Sequence, residues 1–313
     1  MNSAKRKTIL VTGATGFIGR HLVNRLRQDK GVHLILLTRR PVTSEPADIT
    51  MVTTSLDRLS IDTWRSAGID RIDLVFHLGG YIPKRAEEAD RVEEIFRDNL
   101  TGTRSLLESL PVPPERIIFS STVDVYAPIA TNGTLNEDSA LIPAGLYGAS
   151  KLFCEHLVQA YAKTNGCGYA ILRYGHIFGP GEEAYQKLIP EVIRGLLKGE
   201  APILHGDGSA ECDFLYVDDA VEATMRASSD RRMEMGPLNV VRGTAVTVKS
   251  VVEIVSRIMG FSGVISYNTD KPTGLSLRYD NRRLRETLGE WEFVTLEEGL
   301  DREVQYFKAL HGN

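Results

Sequence analysis

The chain has little cysteine, little net charge and no long apolar run, and each shortage removes a class of protein. Its three cysteines, Cys154, Cys167 and Cys212, have no metal-ligand or redox-pair spacing, and the odd count points to reduced thiols in a cytoplasmic protein. Lysine and arginine number 37 against 41 acidic residues, a net charge of −4, so there is no basic excess for nucleic acid or an anionic membrane surface. The longest apolar runs are strand-sized, far short of a membrane span, and the polar, basic stretch from Met1 to Lys7 leads into no signal-like apolar segment. Internal repeats and low-complexity segments are absent. His21, His33, His156, His205 and His311 lack ligand spacing, so no metal is expected. At 313 residues there is ample material for one large α/β unit or two domains.

What is there begins at once. Thr8-Ile9-Leu10-Val11 feeds into Thr12-Gly13-Ala14-Thr15-Gly16-Phe17-Ile18-Gly19, and an apolar helical pattern (Ile18, Leu22, Val23, Leu26) follows. A strand, a glycine turn and a helix in this order form the context a dinucleotide site requires. Gly13 can take the backbone angles of the tight turn. Gly16 lets the main chain approach a pyrophosphate, and Gly19 lets the helix pack closely on the sheet while its free N–H groups face the anion. The expected ligand is a nicotinamide dinucleotide.

Strand-like and helix-like patterns alternate through the first half, with strands expected at Thr8–Thr12, Val32–Thr38, Leu74–Leu78, Arg116–Ser120 and Gly168–Arg173. Between them, Val92, Ile95, Phe96, Asn99, Leu100, Thr103, Leu106 and Leu107 place an apolar stripe on one helix face. This rhythm predicts an α/β fold with a Rossmann-type, doubly wound parallel sheet. After Arg173 it changes: Gly179-Pro180-Gly181 breaks the chain, and Leu188, Ile189, Val192, Ile193, Leu196 and Leu197 mark an amphipathic helix. The expected division is a dinucleotide-binding domain over residues 1–177 and a smaller C-terminal α/β substrate-binding domain over most of 178–313. Segments near 212–224 and 237–242 are expected to return to the main sheet.

A second constellation is Tyr147-Gly148-Ala149-Ser150-Lys151, with Ser120-Ser121-Thr122 upstream. Tyr and Lys four apart share one helix face, so an ammonium can sit beneath a phenol. An ordinary phenol ionises near about pH 10. A fixed cation and a positively charged nicotinamide would lower that value and turn Tyr147 into an acid/base, while the Thr122 hydroxyl could hold the reacting oxygen.

With both constellations in place, the chain closely resembles the extended short-chain dehydrogenase/reductases, specifically the nucleotide-sugar epimerase/dehydratase family. Thr12–Gly19 matches TGxxGxxG, His77-Leu78-Gly79-Gly80 resembles the HLAA strand end, and Asn99-Leu100-Thr101-Gly102-Thr103 matches N-x-x-G-T. Phe119–Tyr126 resembles the segment carrying the catalytic Ser/Thr, and Tyr147 with Lys151 matches YxxxK. Asp213-Phe214-Leu215-Tyr216-Val217-Asp218-Asp219 and Leu288-Gly289 to Leu300 resemble the family's later segments. The resemblance implies catalysis by Thr122, Tyr147 and Lys151. It implies cofactor contacts from Gly13, Gly16, Phe17, Ile18, Gly19, Thr38, Arg39, Arg40, Leu78, Gly79, Asn99, Tyr147, Lys151, Tyr174 and His176. Substrate contacts are expected from Thr122, Val123, Tyr147, His176, Lys271 and Arg278. It also implies a nucleoside-diphosphate sugar as substrate, and a homodimer paired through the Val92–Leu107 helix and the helix beginning near Tyr147.

Several positions depart from the family pattern. Cys212 replaces an Arg that contacts the substrate pyrophosphate, and a thiol cannot read phosphate as a guanidinium does. Lys271 and Arg278 are the candidate substitutes, with a solvated-loop role the alternative for each. His176 stands where Asn is common, either as a hydrogen-bonded core residue or as a substrate or cofactor contact. Ser55 replaces an adenine-contacting Asp. Val123-Asp124 follows the catalytic Thr where sugar dehydratases have Asp-Glu, and Val cannot protonate a leaving hydroxyl, which disfavours elimination. The second strand ends Leu37-Thr38-Arg39-Arg40 without the acidic residue that hydrogen-bonds an NAD ribose. NADP is therefore the expected cofactor, with NAD as the alternative. Two chemistries fit: reduction of a 4-keto sugar, towards which the arginines tilt the reading, and 4-epimerisation. A reductase of a non-nucleotide carbonyl and a non-catalytic dinucleotide sensor stand behind them.

Overall fold

Aliphatic runs without polar alternation, such as Lys7–Thr12 and Val32–Thr38, suit strands covered on both faces. In the computed structural model, which describes residues 6–41, 49–127 and 133–311, these runs lie side by side within a seven-stranded parallel sheet. Its strands are β1 (Lys7–Thr12), β2 (Val32–Thr38), β3 (Ile49–Thr53), β4 (Leu74–His77), β5 (Arg116–Thr122), β6 (Gly168–Tyr174) and β7 (Glu234–Val240). The order is β7-β6-β5-β4-β1-β2-β3, with every pairing parallel. Chain direction across the sheet reverses between β1 and β4, which opens a crevice at their C-terminal ends, the place where such sheets bind ligands. β3 shows no clear pattern in the sequence because it is an edge strand with one buried residue, Val52.

Alternation along β1 splits the core in two. Ile9 and Val11 face one cluster together with Leu22, Phe214, Val251 and Phe307. Leu10 faces the other, with Trp64, Leu106 and Val158. The apolar helix expected at Leu188–Leu197 is present and belongs to the first cluster.

The two returning segments behave differently. Residues 237–240 lie in β7 and pair with β6 across a register shift between Met235 and Leu238. Around 212–224 the strand Glu211–Tyr216 pairs outside the main sheet, parallel to His176–Phe178 and antiparallel to Ala245–Thr247. Only its continuation, the helix Val217–Ser229, packs back against β5 and β6. Two small pairings, Ile203–His205 with Ser266–Asn268 and Thr134–Leu135 with Arg278–Tyr279, complete the C-terminal part.

The helix expected over residues 92–107 is not uniform. Its middle, Phe96–Thr101, winds as a π-helix between α-helical turns at Val92–Ile95 and Gly102–Ser109. Buried Asn99 explains the irregularity. Its Oδ1 accepts from the Tyr81 N–H at 2.6 Å, its Nδ2 donates to Ser150 Oγ at 2.9 Å, and its carbonyl accepts from the Cys154 thiol at 3.4 Å. π-Turns of this kind gather at functional sites. Among the described residues, no helix is long and apolar enough to cross a membrane.

Candidate active site

The glycine turn closes as its spacing predicts. Gly13 sits at φ +70°, and a Cβ there would lie 2.7 Å from the Gly79 nitrogen. At Gly19 a Cβ would lie 2.0 Å from the Gly13 carbonyl oxygen, so the helix Phe17–Leu26 can approach the turn only without a side chain. That helix has neither a capping side chain nor an acidic residue in its first turn. The N–H groups at Phe17 and Ile18 therefore face the crevice as an anion cradle. Behind the turn, Thr12 Oγ1 accepts from the Gly79 N–H at 2.9 Å and hydrogen-bonds His77 Nδ1 at 2.8 Å, while His77 Nε2 reaches Thr103 Oγ1 at 2.9 Å. Burial pushes the His77 imidazole down to about 3, so this tie between β1 and β4 is uncharged. These features fit a pyrophosphate-bearing dinucleotide.

At the far end of the crevice, Thr38 Oγ1 donates to the Arg40 carbonyl at 2.9 Å. Arg39, its side chain 74% exposed, points to Asp98 on the π-helical segment at 3.5 Å. Ser55 itself makes no crevice contact that the geometry identifies. Its neighbour Leu56 lies close to Gly79 and Gly102, where added Cβ atoms would meet it at 3.2 and 2.8 Å.

The chemical groups stand on β5 and on the helix Leu146–Asn165. Gly148 brings the two together, because a Cβ there would sit 2.2 Å from the Asp124 carbonyl oxygen. Thr122 ends β5, where its Oγ1 accepts the Asp124 N–H at 3.2 Å and stands beside the Tyr147 phenol. Lys151, 5% exposed, holds its ammonium 4.4 Å from the centre of the Phe119 ring. Desolvation lowers that ammonium to about 8. The expected lowering of the Tyr147 pKa by Lys151 is not what the structure displays. Burial, then the charges of Asp124 and Tyr185, push the phenol above its ordinary value, and the Lys151 cation rests on Phe119. The protein alone keeps Tyr147 protonated.

A buried network beneath this pair escaped the sequence reading. Glu155, 2% exposed, accepts from Arg173 Nε at 2.9 Å and from Nη2 at 2.8 Å, and also from the Ser121 hydroxyl. Arg173 Nη1 donates to the Tyr126 hydroxyl at 3.0 Å, and that hydroxyl donates to Asn239 Oδ1 at 2.6 Å. One signal was available: Glu155 lies four residues after Lys151 and eight after Tyr147, on the same helix face.

A cavity of about 180 Å³ opens in front of Tyr147, walled by Val123, Asp124, Tyr126, Leu277 and Tyr279 among others. Of the expected substrate residues, Val123 and Tyr147 line it, Thr122 stands next to Val123 at the end of β5, and His176, Lys271 and Arg278 are not in its wall. Arg278 is taken up by an ion pair with Glu211, and Lys271 is exposed. His176 packs its ring 6.0 Å from Phe214. Tyr174 turns its phenol into the core, where it hydrogen-bonds Thr224 at 2.6 Å, so only its backbone remains at the sheet's edge. Asp213 has a structural task, accepting the N–H groups of Arg242 at 2.7 Å and Gly243 at 2.8 Å, and burial raises it to about 6.

Residues 9–240 match the NAD dependent epimerase/dehydratase family. A UDP-N-acetyl-alpha-D-glucosaminuronate decarboxylase of Bacillus cytotoxicus is 26% identical, covering 98% of this chain and all (100%) of that one. Among solved structures, MoeE5 in complex with UDP-glucuronic acid and NAD is 30% identical with a TM-score of 0.83, covering 97% of this chain and 99% of that chain. The UDP-glucose 4-epimerase of Thermotoga maritima, solved with UDP-glucose, is 27% identical with a TM-score of 0.84 over 97% and 99% of the two chains. A glycine cradle at the β1/β4 crevice, a Thr–Tyr–Lys group at its mouth and these end-to-end likenesses lead to one conclusion: the chain is an enzyme of the NAD dependent epimerase/dehydratase family, with the extended short-chain dehydrogenase/reductase fold.

Proposed function

We propose that this protein is a nucleoside-diphosphate-sugar 4-epimerase. The observation that carries the proposal is the packing of the Tyr147 helix, through Gly148, onto the turn after Thr122, which sets Tyr147 beside Thr122 between the glycine cradle and a cavity that could take a sugar ring. The likeness to a UDP-glucose 4-epimerase supports this reading over the 4-keto-sugar reductase towards which the sequence tilted. A bound nicotinamide would supply the hydride acceptor and donor at sugar C4. Tyr147 takes the proton of the C4 hydroxyl and returns it after the keto sugar has turned over, while Thr122 fixes the reacting oxygen. Lys151 is buried beside the crevice and would leave the Phe119 face for the nicotinamide ribose, bringing its charge towards the phenol. Asn99, through Ser150 and the Tyr81 backbone, holds the helix that carries both residues.

The dinucleotide belongs over residues 1–177, and residues 178–313 close over the sugar, contributing Leu277 and Tyr279 to a cavity otherwise walled by the first part of the chain. Arg39 and Arg40, which follow β2 where an NAD-binding strand would end in an acidic residue, support NADP as the preferred form, with Asp98 holding Arg39 at 3.5 Å until the cofactor binds. Exposed Val92 and Phe96 on one helix, and Leu146 and Phe153 on another, support a homodimer through those two helices.

The test is to incubate the protein with UDP-glucose, without added reductant, and follow the 4-epimer by proton NMR. Interconversion is expected, and Tyr147→Phe should slow it at least about a hundredfold. Consumption of NADPH with nucleotide 4-keto-6-deoxy sugars, and no interconversion, would restore the reductase.

A further inference from the structure

Beyond the reacting group, the cavity in front of Tyr147 has an unusual charge make-up. Asp124 is the one charged side chain in its wall among the described residues, and neither lysine nor arginine lines it. Residues 128–132, which follow Ala127 in the chain, are Pro, Ile, Ala, Thr and Asn and carry no charge. The nearby cations are committed elsewhere: Arg278 is paired with Glu211, and Lys151 lies on the Phe119 ring. The Asp124 carboxylate is exposed, and no hydrogen bond or ion pair engages its oxygens among the described residues. Its charge reaches the Tyr147 phenol, the His176 ring and the Tyr279 phenol, which places it at the sugar end of the cavity. Lys187, whose charge also reaches the His176 ring, is itself paired with Glu182 at 3.0 Å.

We infer that Asp124 makes this site select nucleoside-diphosphate sugars that are uncharged at C6 and reject the corresponding uronic acids. The inference rests on the 4-epimerase reading and goes further, because it names which sugars that site takes. C6 is two bonds from C4, so a sugar whose C4 oxygen meets Tyr147 brings a C6 carboxylate within a few ångströms of Asp124. Two like charges at that separation, near a protein surface, disfavour binding by on the order of a hundredfold. A C6 hydroxyl in the same place can donate a hydrogen bond to the carboxylate instead. The discrimination therefore combines an attractive element with a repulsive one, as selective sites do.

The experiment compares UDP-glucose with UDP-glucuronic acid by calorimetric binding and by kcat/KM on the cofactor-loaded enzyme. UDP-glucose should be favoured at least about thirtyfold. Asp124→Asn should shrink that ratio at least about tenfold, while Asp124→Glu, which keeps the charge, should preserve most of it. The ratio separates this role from a structural one, since a loosened site weakens both ligands together. Equal or tighter binding of the uronic acid by the unmodified enzyme overturns the inference and leaves the 4-epimerase reading standing. So does an unchanged ratio in Asp124→Asn. Binding of neither UDP-sugar removes the 4-epimerase reading and the inference with it.

Discussion

Replacing Glu155 by Gln tests whether the buried network under the catalytic helix is a structural requirement. Gln has almost the volume of Glu, so no cavity opens and the perturbation is electrical. In the folded protein both Glu155 oxygens are used, by Arg173 Nε at 2.9 Å and Nη2 at 2.8 Å, and each partner is 2% exposed. The variant leaves the Arg173 guanidinium buried without a counter-charge and points an amide NH₂ at donors that need an acceptor. Breaking a buried pair from one side costs about 3–5 kcal/mol, because desolvation of the remaining ion is no longer offset. For a chain of this size that corresponds to a fall in Tm of roughly 5–8 °C.

Removing both charges should do less damage than removing one. Glu155→Met with Arg173→Met trades the pair for apolar volume, and the double variant should be more stable than the sum of the single losses by at least about 2 kcal/mol. Tyr126 limits the recovery, since its hydroxyl loses the Arg173 donor at 3.0 Å while keeping Asn239. Scanning calorimetry, with urea unfolding followed by circular dichroism, measures the unmodified protein, Glu155→Gln, the two single Met variants and the double variant. A loss below about 1 kcal/mol for Glu155→Gln, or strictly additive losses, would refute the reasoning and reduce the pair to a replaceable packing feature.

Two further outcomes are expected. Arg39→Ala should weaken NADP binding at least about tenfold by isothermal titration and leave NAD within about threefold, because only the 2′-phosphate needs a charge-assisted partner. Asp98, which holds Arg39 at 3.5 Å, must release it for that contact, and equal losses for both cofactors would sink the NADP preference. Phe96→Glu combined with Phe153→Glu should convert a homodimer into a monomer by light scattering at micromolar concentration, since both rings are more than half exposed in the single chain (59% and 53%). A monomeric unmodified protein would show that the exposed faces have another use.

The parts legible in the sequence are those where local chemistry and tertiary role coincide. β1, β2, β4, β5 and β6 are built around aliphatic runs that suit strands covered on both faces, and the glycine turn is specified by backbone angles and contacts that no other residue permits. β3 was missed because an edge strand with a single buried residue carries neither alternation nor a continuous apolar run. The 92–109 helix was read correctly as helical and wrongly as regular. Its π segment depends on what Asn99 meets on Tyr81 and Ser150, and helical periodicity does not encode those partners. Strand Glu211–Tyr216 was assigned to the wrong sheet for a similar reason, since a strand's sequence does not name its neighbour.

At the site the division is sharper. Motif spacing singled out Thr122, Tyr147 and Lys151, and the structure places all three where β5 meets the helix Leu146–Asn165. Their protonation states depend on the surroundings, and there the sequence argument failed in a specific way. It counted the helix neighbour of Tyr147 four residues on and omitted Asp124, which the turn after β5 brings to the phenol from another element. The same turn gives Asp124 two separate tasks. Its backbone N–H does serve Thr122 Oγ1, while its side chain is left facing the cavity. A residue can fill a local structural slot with its main chain and set specificity with its side chain. Sequence spacing detects the first role, and only the assembled cavity wall, with its single negative charge, reveals the second.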